Sequence, residues 1–554
     1  MFVTTRSINQ FSLHTATREH RVAWALAILL ALPGAARAQQ AVAPLTLVTL
    51  SSDAEDRLRL AQLHGASVGG YLIRSPSRLS PSNQRSDTAW YIGIVAPELR
   101  AIHNSGLPYS LNDGPVWAGR GWNEAITAGA FLASGSARLI IAPTFVSEQN
   151  DPFQVIPYSQ GLVPHRSVWA NPFHPLPESI DLPLRFGDHR REYVDPGQSS
   201  LTFDASSVSF GAATENLWWG PGIRNAITLS DNAAGVPHLF VQTRHPIRTA
   251  AGAFDAQLIV GQLSESAFFD DSSANDSRSL SGLAVTWTPA FDTAFTFGVA
   301  RLVMGTRHNG AFPIGAVLDV FRDVGHPFTD TTAADAPSGR DQITSFFGRW
   351  VLPSAGFEAY AEWARFEEPL SLRDLLEFPG HSEAYTLGFQ WAHDLSAART
   401  FQLQSEASYL EPDPSLRLRP VATTYTSRDV PQGFTQRGQP LGASIGPGSS
   451  SQWLAGDVFA HTWRAGAYLS RIRWDNGVLF EPIVPQFKRQ DVTLLAGLRA
   501  GVSWRGVNAM LDFAHAARFD YLFQAYALSP GHTGGIDLIN NTLSLTLSAG
   551  ALPR

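Results

Sequence analysis

Phe401-Gln402-Leu403-Gln404-Ser405-Glu406-Ala407-Ser408-Tyr409 alternates without a break: Phe, Leu, Ser, Ala and Tyr fall on one face, and Gln, Gln, Glu and Ser on the other. A period of two marks a strand, because successive side chains leave opposite faces of a pleated chain. The polar face carries a carboxylate, and the apolar face ends in an aromatic ring. The pattern recurs. Phe357, Ala359, Ala361 and Trp363 oppose Glu358, Tyr360 and Glu362. Tyr385, Leu387, Phe389 and Trp391 oppose Thr386, Gly388 and Gln390, and near the end of the chain Thr542, Ser544, Thr546 and Ser548 oppose Leu543, Leu545 and Leu547.

Such strands suit either a sandwich with one wet face or a membrane barrel with its apolar side out and polar side in. Two features favour the barrel. Aromatics sit at strand ends, as Trp350, Trp363, Trp391 and Tyr409 do, where interfacial girdles lie. The alternating texture also runs from about Trp90 to the end, more strands than one sandwich uses. An open sheet edge cannot persist in hydrocarbon, so the sheet must close. The expected fold is an all-β transmembrane barrel over residues 89–554, of roughly 16 to 18 antiparallel strands of about 10 residues each.

The first 38 residues read as an export signal, with Arg18 and Arg21 before the apolar run Val22 to Leu32 and the small-residue exit Ala36-Arg37-Ala38. That run is too short to span a bilayer, which takes roughly 20 apolar residues. Residues 39–88 form a small helical part: Ser51 to Asp53 offer N-caps for a helix ending near Leu63, with Leu58, Leu60 and Leu63 apolar. The Ala-rich text from Trp122 to Ala133 predicts a second helix. None of the 554 residues is Cys, so stability rests on packing and ladder hydrogen bonds. The formal net charge is −7, and the leader would remove four Arg and one Glu, leaving the rest more acidic. An acidic chain is a poor nucleic-acid partner. Lys488 is the only lysine, and the planar Arg side chains that supply the other cations suit the carboxylates of sugar acids.

A second stretch is as informative. In Thr214-Glu215-Asn216-Leu217-Trp218-Trp219-Gly220-Pro221-Gly222, two Trp run into a tight turn. As a strand, it would send one indole to each face. With the following text to Phe240, this stretch resembles the Wzi family of capsule-assembly proteins. Asn112-Asp113-Gly114 with Trp117 and Gly119-Arg120-Gly121, the run Arg437 to Ser449, and Asn540-Asn541 fit the same family pattern in the same order. The resemblance spans most of the chain. It implies an outer-membrane barrel with a helical bundle at its periplasmic end that holds capsular or extracellular polysaccharide at the cell surface. It implies a non-catalytic lectin or anchor, expected to be a monomer in outer-membrane lipid, without metal or organic cofactor, with polysaccharide export machinery as a further partner. The end, Gly550-Ala551-Leu552-Pro553-Arg554, departs from the terminal aromatic that many such barrels use as an assembly signal.

The longest break, Glu411 to Ser450, is rich in Pro, Gly, Thr and Arg; a loop this long is usually functional or disordered, and the family-like run Arg437 to Ser449 favours function. Barrels keep long loops outside, so this loop and Val324 to Arg340 are expected to face the environment. Tyr425, Arg428, Phe434 and Arg437 are candidate polysaccharide contacts, since rings match sugar C–H faces and planar donors match hydroxyls and carboxylates. Glu215, Trp218, Trp219 and Arg224 form a second set, in which the Trp pair reads as structural before it reads as ligand-contacting. Catalysis finds no zinc-binding His-Glu-x-x-His, phosphate loop or Gly-x-Ser-x-Gly elbow. Glu358 and Glu362 share a face with about 6 to 7 Å between their Cβ atoms; lumen-lining acids explain them better than a hydrolytic pair. The rival functions are a porin, since an open barrel conducts solutes, and a membrane-embedded hydrolase. The protein is expected to fractionate with outer membranes and to run with heat-modifiable mobility on gels. Recovery as a soluble periplasmic protein would contradict that reading.

Overall fold

Strands in hydrocarbon must pair on both edges, and among the described residues the barrel strands form a closed sheet. The computed structural model describes residues 44–80 and 91–550, apart from 157, 159–165, 176–177, 308–309, 323, 325–338, 370, 414–420, 481–488 and 530–531. Residues 1–38, expected to be an export signal, fall outside these residues, as does nearly all of the Val324 to Arg340 loop. Antiparallel pairing runs from strand to strand, and the ring closes where Tyr91–Asn104 meets both Gly121–Ser134 and the last strand, Leu538–Ala549. Eighteen strands complete the barrel.

The sequence periodicity assigned the faces correctly. Glu358, Tyr360, Glu362, Thr386, Gln390, Gln402, Gln404, Glu406 and Ser408 are buried on the inside, while Leu387, Phe389 and Trp391 are exposed on the outside. Connections at one end are tight turns, such as 135–136, 206–207 and 505–506; at the other they are long. Trp350 and Trp391 lie at the short-turn end, and Trp363 and Tyr409 at the long-loop end, so rings mark both rims of the apolar belt.

The text from Trp122 to Ala133 is not a helix but lies within the strand Gly121–Ser134. The Ala preference for helix is worth only tenths of a kcal/mol per residue, whereas this segment is paired along both edges. Gly129 shows how close the pairing is: a Cβ there would stand 1.8 Å from the Ile141 carbonyl oxygen.

The helix expected near Leu63 is present as Asp53–Leu63, with Ser52 accepting the Glu55 N–H at 3.3 Å as its N-cap. It sits inside the short-turn mouth, where Leu60 and Leu63 pack on Ala392 and Phe459. Charge fixes it there. Arg59 and Arg349 both bind Glu358, the latter at 2.8 Å, and Arg349 also donates to Gln62 at 2.7 Å. Arg464 from the wall reaches Asp53 at 2.9 Å and Asp56 at 2.7 Å. Within residues 44–80 the other helical piece is one turn, Pro76–Leu79.

An eighteen-strand barrel is too wide for wall side chains to fill. Two excursions from the long-loop end, residues 214–237 and the described part of 410–449, from 421 onward, fold back into the lumen as a plug. Trp218–Trp219 pairs with Ile73–Arg74, and the two indoles point to opposite sides as the sequence implied. Trp219 faces the wall, its Nε1 donating to Gln257 at 2.8 Å, with Gly282 leaving room for the ring. Trp218 faces the N-terminal segment among Val48, Leu50, Ala54 and Tyr71, with the Arg74 guanidinium 4.9 Å from its ring centre. Gly220 follows at φ 107°, a conformation open to glycine. Glu406 then accepts the backbone N–H groups of Ile223 (2.6 Å), Arg224 (3.1 Å) and Asn225 (2.8 Å), pinning the turn to the wall.

The Glu411 to Ser450 loop, expected to face outward, instead turns inward. Tyr425 is buried, donating to the Ile227 carbonyl at 2.7 Å and accepting the Ala443 N–H at 2.7 Å. Phe434 is equally buried, and both rings meet Phe366 edge-on. The barrel rule fixes the end from which a loop leaves, not the direction in which it folds, and an unfilled lumen draws apolar side chains in. Trp219→Ala should therefore destabilise the folded barrel by about 3 to 5 kcal/mol, the usual cost of emptying a buried aromatic site. Denaturant titration of the heat-modifiable form measures it, and an unchanged midpoint would remove Trp219 from the core.

Candidate functional site: a cup at the long-loop end

The inward-folded loops leave a cup of about 230 Å³ at the long-loop mouth. Its wall is built from connections that depart from separate strands. Residues 105–120 supply Tyr109 and Trp117, residues 149–190 supply Asn171 and Phe173, and the strand ends near 474 and 518 supply Trp474 and Arg518. The plug forms the floor with Asn232, Gln439 and Ser444.

The polar groups of the cup are held by one another. Arg518 forms a two-pronged pair with Asp491, both bonds 2.7 Å, and lies 5.0 Å over Trp474 and 4.8 Å over Tyr521. Asp491 also accepts the Leu522 N–H at 2.8 Å. Trp474 Nε1 donates to Thr493 at 2.8 Å, which fixes the indole plane. His174 and Asp475 are 2.8 Å apart. Phe173 meets Phe523 edge-on at 5.2 Å, and Trp117 packs on Phe186 at 4.9 Å. The half-buried Trp117 and Trp474, beside fixed planar donors and acceptors, suit a ligand with alternating C–H faces and hydroxyls.

Beneath the cup, between plug and wall, lies a second cavity of about 350 Å³, and Tyr109, Ser444 and Ile445 line both. Thr542, Ser544, Thr546 and Ser548 form one side of it, the polar face read from the sequence. Arg224 lies on the other side, 5.7 Å over Trp453. Burial, with the Glu55 carboxylate nearby, pushes the Asp231 carboxyl up to about 8. Ser51 donates to that carboxyl at 3.1 Å.

The eight residues singled out in the sequence therefore part company. Arg224 lines the lower cavity, Arg428 is exposed at the outer rim, and Arg437 is partly exposed while paired with Asp195 at 2.6 Å. Tyr425, Phe434, Trp218 and Trp219 are interior. Glu215 is interior too, accepting the Ser77 N–H at 2.8 Å and hydroxyl at 2.7 Å. Sequence reasoning missed Trp474, Arg518 and Phe173; Trp474 and Arg518 sit at strand ends, where an aromatic or Arg is indistinguishable from a girdle residue. Trp117 stood inside a recognised motif but was not read as a contact. Glu358 and Glu362 are no hydrolytic pair: the first is held by two Arg, and the second accepts the Ser345 hydroxyl at 2.7 Å under the plug. Among the described residues no His, Cys, Asp or Glu cluster could hold a metal ion, and no helix is long and apolar enough to cross a membrane.

Fold and site together define a plugged membrane barrel with a ring-lined cup at one mouth. The family model described as capsule assembly protein Wzi matches residues 133–456, more than half of the chain, so the chain belongs to the Wzi capsule-assembly family. No curated protein sequence matches it significantly. Among solved structures it is similar to Wzi of Escherichia coli, described as an outer-membrane protein involved in group 1 capsule assembly and a carbohydrate-binding β-barrel. The two are 12% identical with a TM-score of 0.57, over 90% of this chain and 99% of that one. OccK2 (OpdF) of Pseudomonas aeruginosa aligns at 9% identity and TM-score 0.36, over 83% of this chain and 98% of that one. A BenF-like porin of Pseudomonas fluorescens Pf-5 aligns at 8% and 0.36, over 83% and 98%.

The raised Asp231 carboxyl has a consequence for pH. The folded state favours its protonated form, so stability is fullest below the ordinary value of 3.8 and declines as pH rises towards about 8. Asp231→Asn keeps the acceptor for Ser51 and removes the titration. Its thermal midpoint should match that of the parent near pH 4 and exceed it increasingly up to pH 8, read by heat-modifiable mobility.

Proposed function

We propose that this protein binds an exported capsular or extracellular polysaccharide at the cup and anchors it to the outer membrane, without catalysis. The observation that carries the reading is the cup itself: Trp117, Phe173 and Trp474 set beside Arg518, Asn171 and Asp475 at the mouth with the long loops, above a lumen filled by the chain. The long-loop end of a bacterial barrel faces the environment. Family membership supports the same role, and the Escherichia coli relative is described as carbohydrate-binding. The plug argues against a porin, because residues 215–222 and 423–451 occupy the space a solute would cross and are buried almost throughout. Paired and covered acids argue against a hydrolase.

At the rim, Arg428 and Arg437 are the contacts for acidic sugars; Arg224 is the one for any chain end that reaches the lower cavity. Tyr425, Phe434, Trp218, Trp219 and Glu215 serve by holding the plug that forms the floor.

Replacing Trp117 and Trp474 together by Ala should weaken binding of purified polysaccharide by about tenfold or more, the equivalent of 1.4 kcal/mol. Cells carrying the variant should shed polysaccharide into the medium while displaying the barrel. Unchanged retention with confirmed display would take the cup out of the mechanism. Replacing Arg428 and Arg437 by Ala should leave binding of a neutral glycan intact and reduce the salt sensitivity of binding to an acidic one, since exposed charge pairs are screened over about 10 Å at 0.1 M salt.

A further inference from the structure

Strand register places Val260, Ser281 and Val303 on the outside of the barrel, because their neighbours Ile259, Leu280 and Leu302 point into the core beside Trp219. Outward residues elsewhere on the belt are open, as Phe297 (47% exposed) and Leu498 (64%) are. Those three are 4%, 1% and 1% exposed. Their cover is the 3₁₀ segment Ile314–Phe321, which lies along the outer wall of Gly252–Ser264, Ser277–Pro289 and Phe295–Thr306. Ser281 donates to the Val317 carbonyl at 3.1 Å and accepts the Val320 N–H at 3.2 Å. Arg301, also outward-facing, donates to the carbonyls of Val320 at 3.0 Å and Arg322 at 2.9 Å and pairs with Glu368 at 2.9 Å. A strap thus covers polar wall groups that would otherwise face hydrocarbon.

Its other face is apolar and uncovered: Phe312 is 39% exposed, Ile314 63%, Leu318 57% and Phe321 62%. The wall residues it covers stand three or four positions from the long-loop ends of their strands, so the strap continues the lipid-facing belt near its outer rim. The Val317 carbonyl, both backbone groups of Val320 and the Arg322 carbonyl are taken by Ser281 and Arg301, the kind of pairing that a segment entering a lipid boundary requires. We propose that Ile314–Phe321 is a membrane-contacting strap, whose face of Phe312, Ile314, Leu318 and Phe321 packs against the acyl chains of the leaflet at the long-loop end.

The chain has no Cys, so Leu318→Cys gives a single site for a nitroxide label. The labelled protein, reconstituted into phospholipid vesicles, is tested for collision with oxygen, which concentrates in hydrocarbon, and with a water-soluble nickel chelate. Leu498→Cys reports the belt, and Arg373→Cys, on an exposed side chain of the helix Leu372–Glu377, reports water. Oxygen should exceed nickel several-fold at 318, as at 498. Nickel in excess, as at 373, would overturn the proposal. So would low access to both reagents, which would mean that a second copy or another protein covers the strap. Heat-modifiable mobility confirms folding, and Ile314→Cys repeats the measurement should Leu318→Cys fail to insert. A belt control open to nickel would instead count against the membrane barrel itself, so the two failures are distinguishable.

Discussion

The Glu406 carboxylate, receiving three consecutive backbone N–H groups from Ile223, Arg224 and Asn225, is the contact on which the interior depends. A lumen enclosed by eighteen strands has to be either wet or filled. Filling it with irregular chain buries backbone groups that no ladder pairs, and each left unpaired would cost about as much as a lost hydrogen bond. The plug meets this demand locally. Glu406 holds one turn, Leu72 and Leu229 carbonyls accept from Gly220 and Trp219, and Leu441 accepts from Ser230. Three of the segments that resembled a family pattern in the sequence converge here: Asn112 donates to the Arg224 carbonyl, Gly114 to Asp231, and Ser444 to Asn225.

At the opposite mouth, buried charge does the work that hydrogen-bonded turns do above. Arg59, Arg349 and Glu358 form one closed set, and Arg464 gathers Asp53, Asp56 and Asp457 into another. Buried ion pairs repay their desolvation poorly, so their value here lies in orientation. A helix held by pairs to three separate wall strands can sit in one position only. Removing one partner of the buried Arg59, Arg349 and Glu358 set would leave a buried charge short of its partner, which is strongly destabilising.

Both devices bear on the cup. A recognition surface on mobile loops loses affinity to the entropy of ordering them. Here the floor is the plug, itself fixed to the wall, and Trp474 and Arg518 stand on strand ends whose partners, Thr493 and Asp491, are already in place. Of the rings that would take sugar faces, Trp474 is thus presented by a strand end, while Trp117 and Phe173 stand on connections packed against Phe186 and Phe523.

Much of the architecture was legible in the chain. The period-two runs around Glu358, Gln390 and Glu406 gave the strands, their inward faces and the need for closure, because alternation is a local property that a pleat reads directly. The Ser52 cap and the opposed Trp218 and Trp219 were local as well. The strand at Trp122 was lost to Ala-rich composition, since pairing with distant residues overrides a weak intrinsic preference. The fate of the Glu411 to Ser450 loop was hidden for a deeper reason. Tyr425 and Phe434 have the same chemistry whether they face a ligand or a core, and only the width of the closed barrel, a property of all its strands together, decides that they turn inward. The cup has the same origin: Trp117 and Phe173 lie hundreds of residues before Trp474 and Arg518, and only closure of the ring makes the two pairs neighbours. The sequence determined what each strand would show to either side; the closed ring decided what would fill the space between.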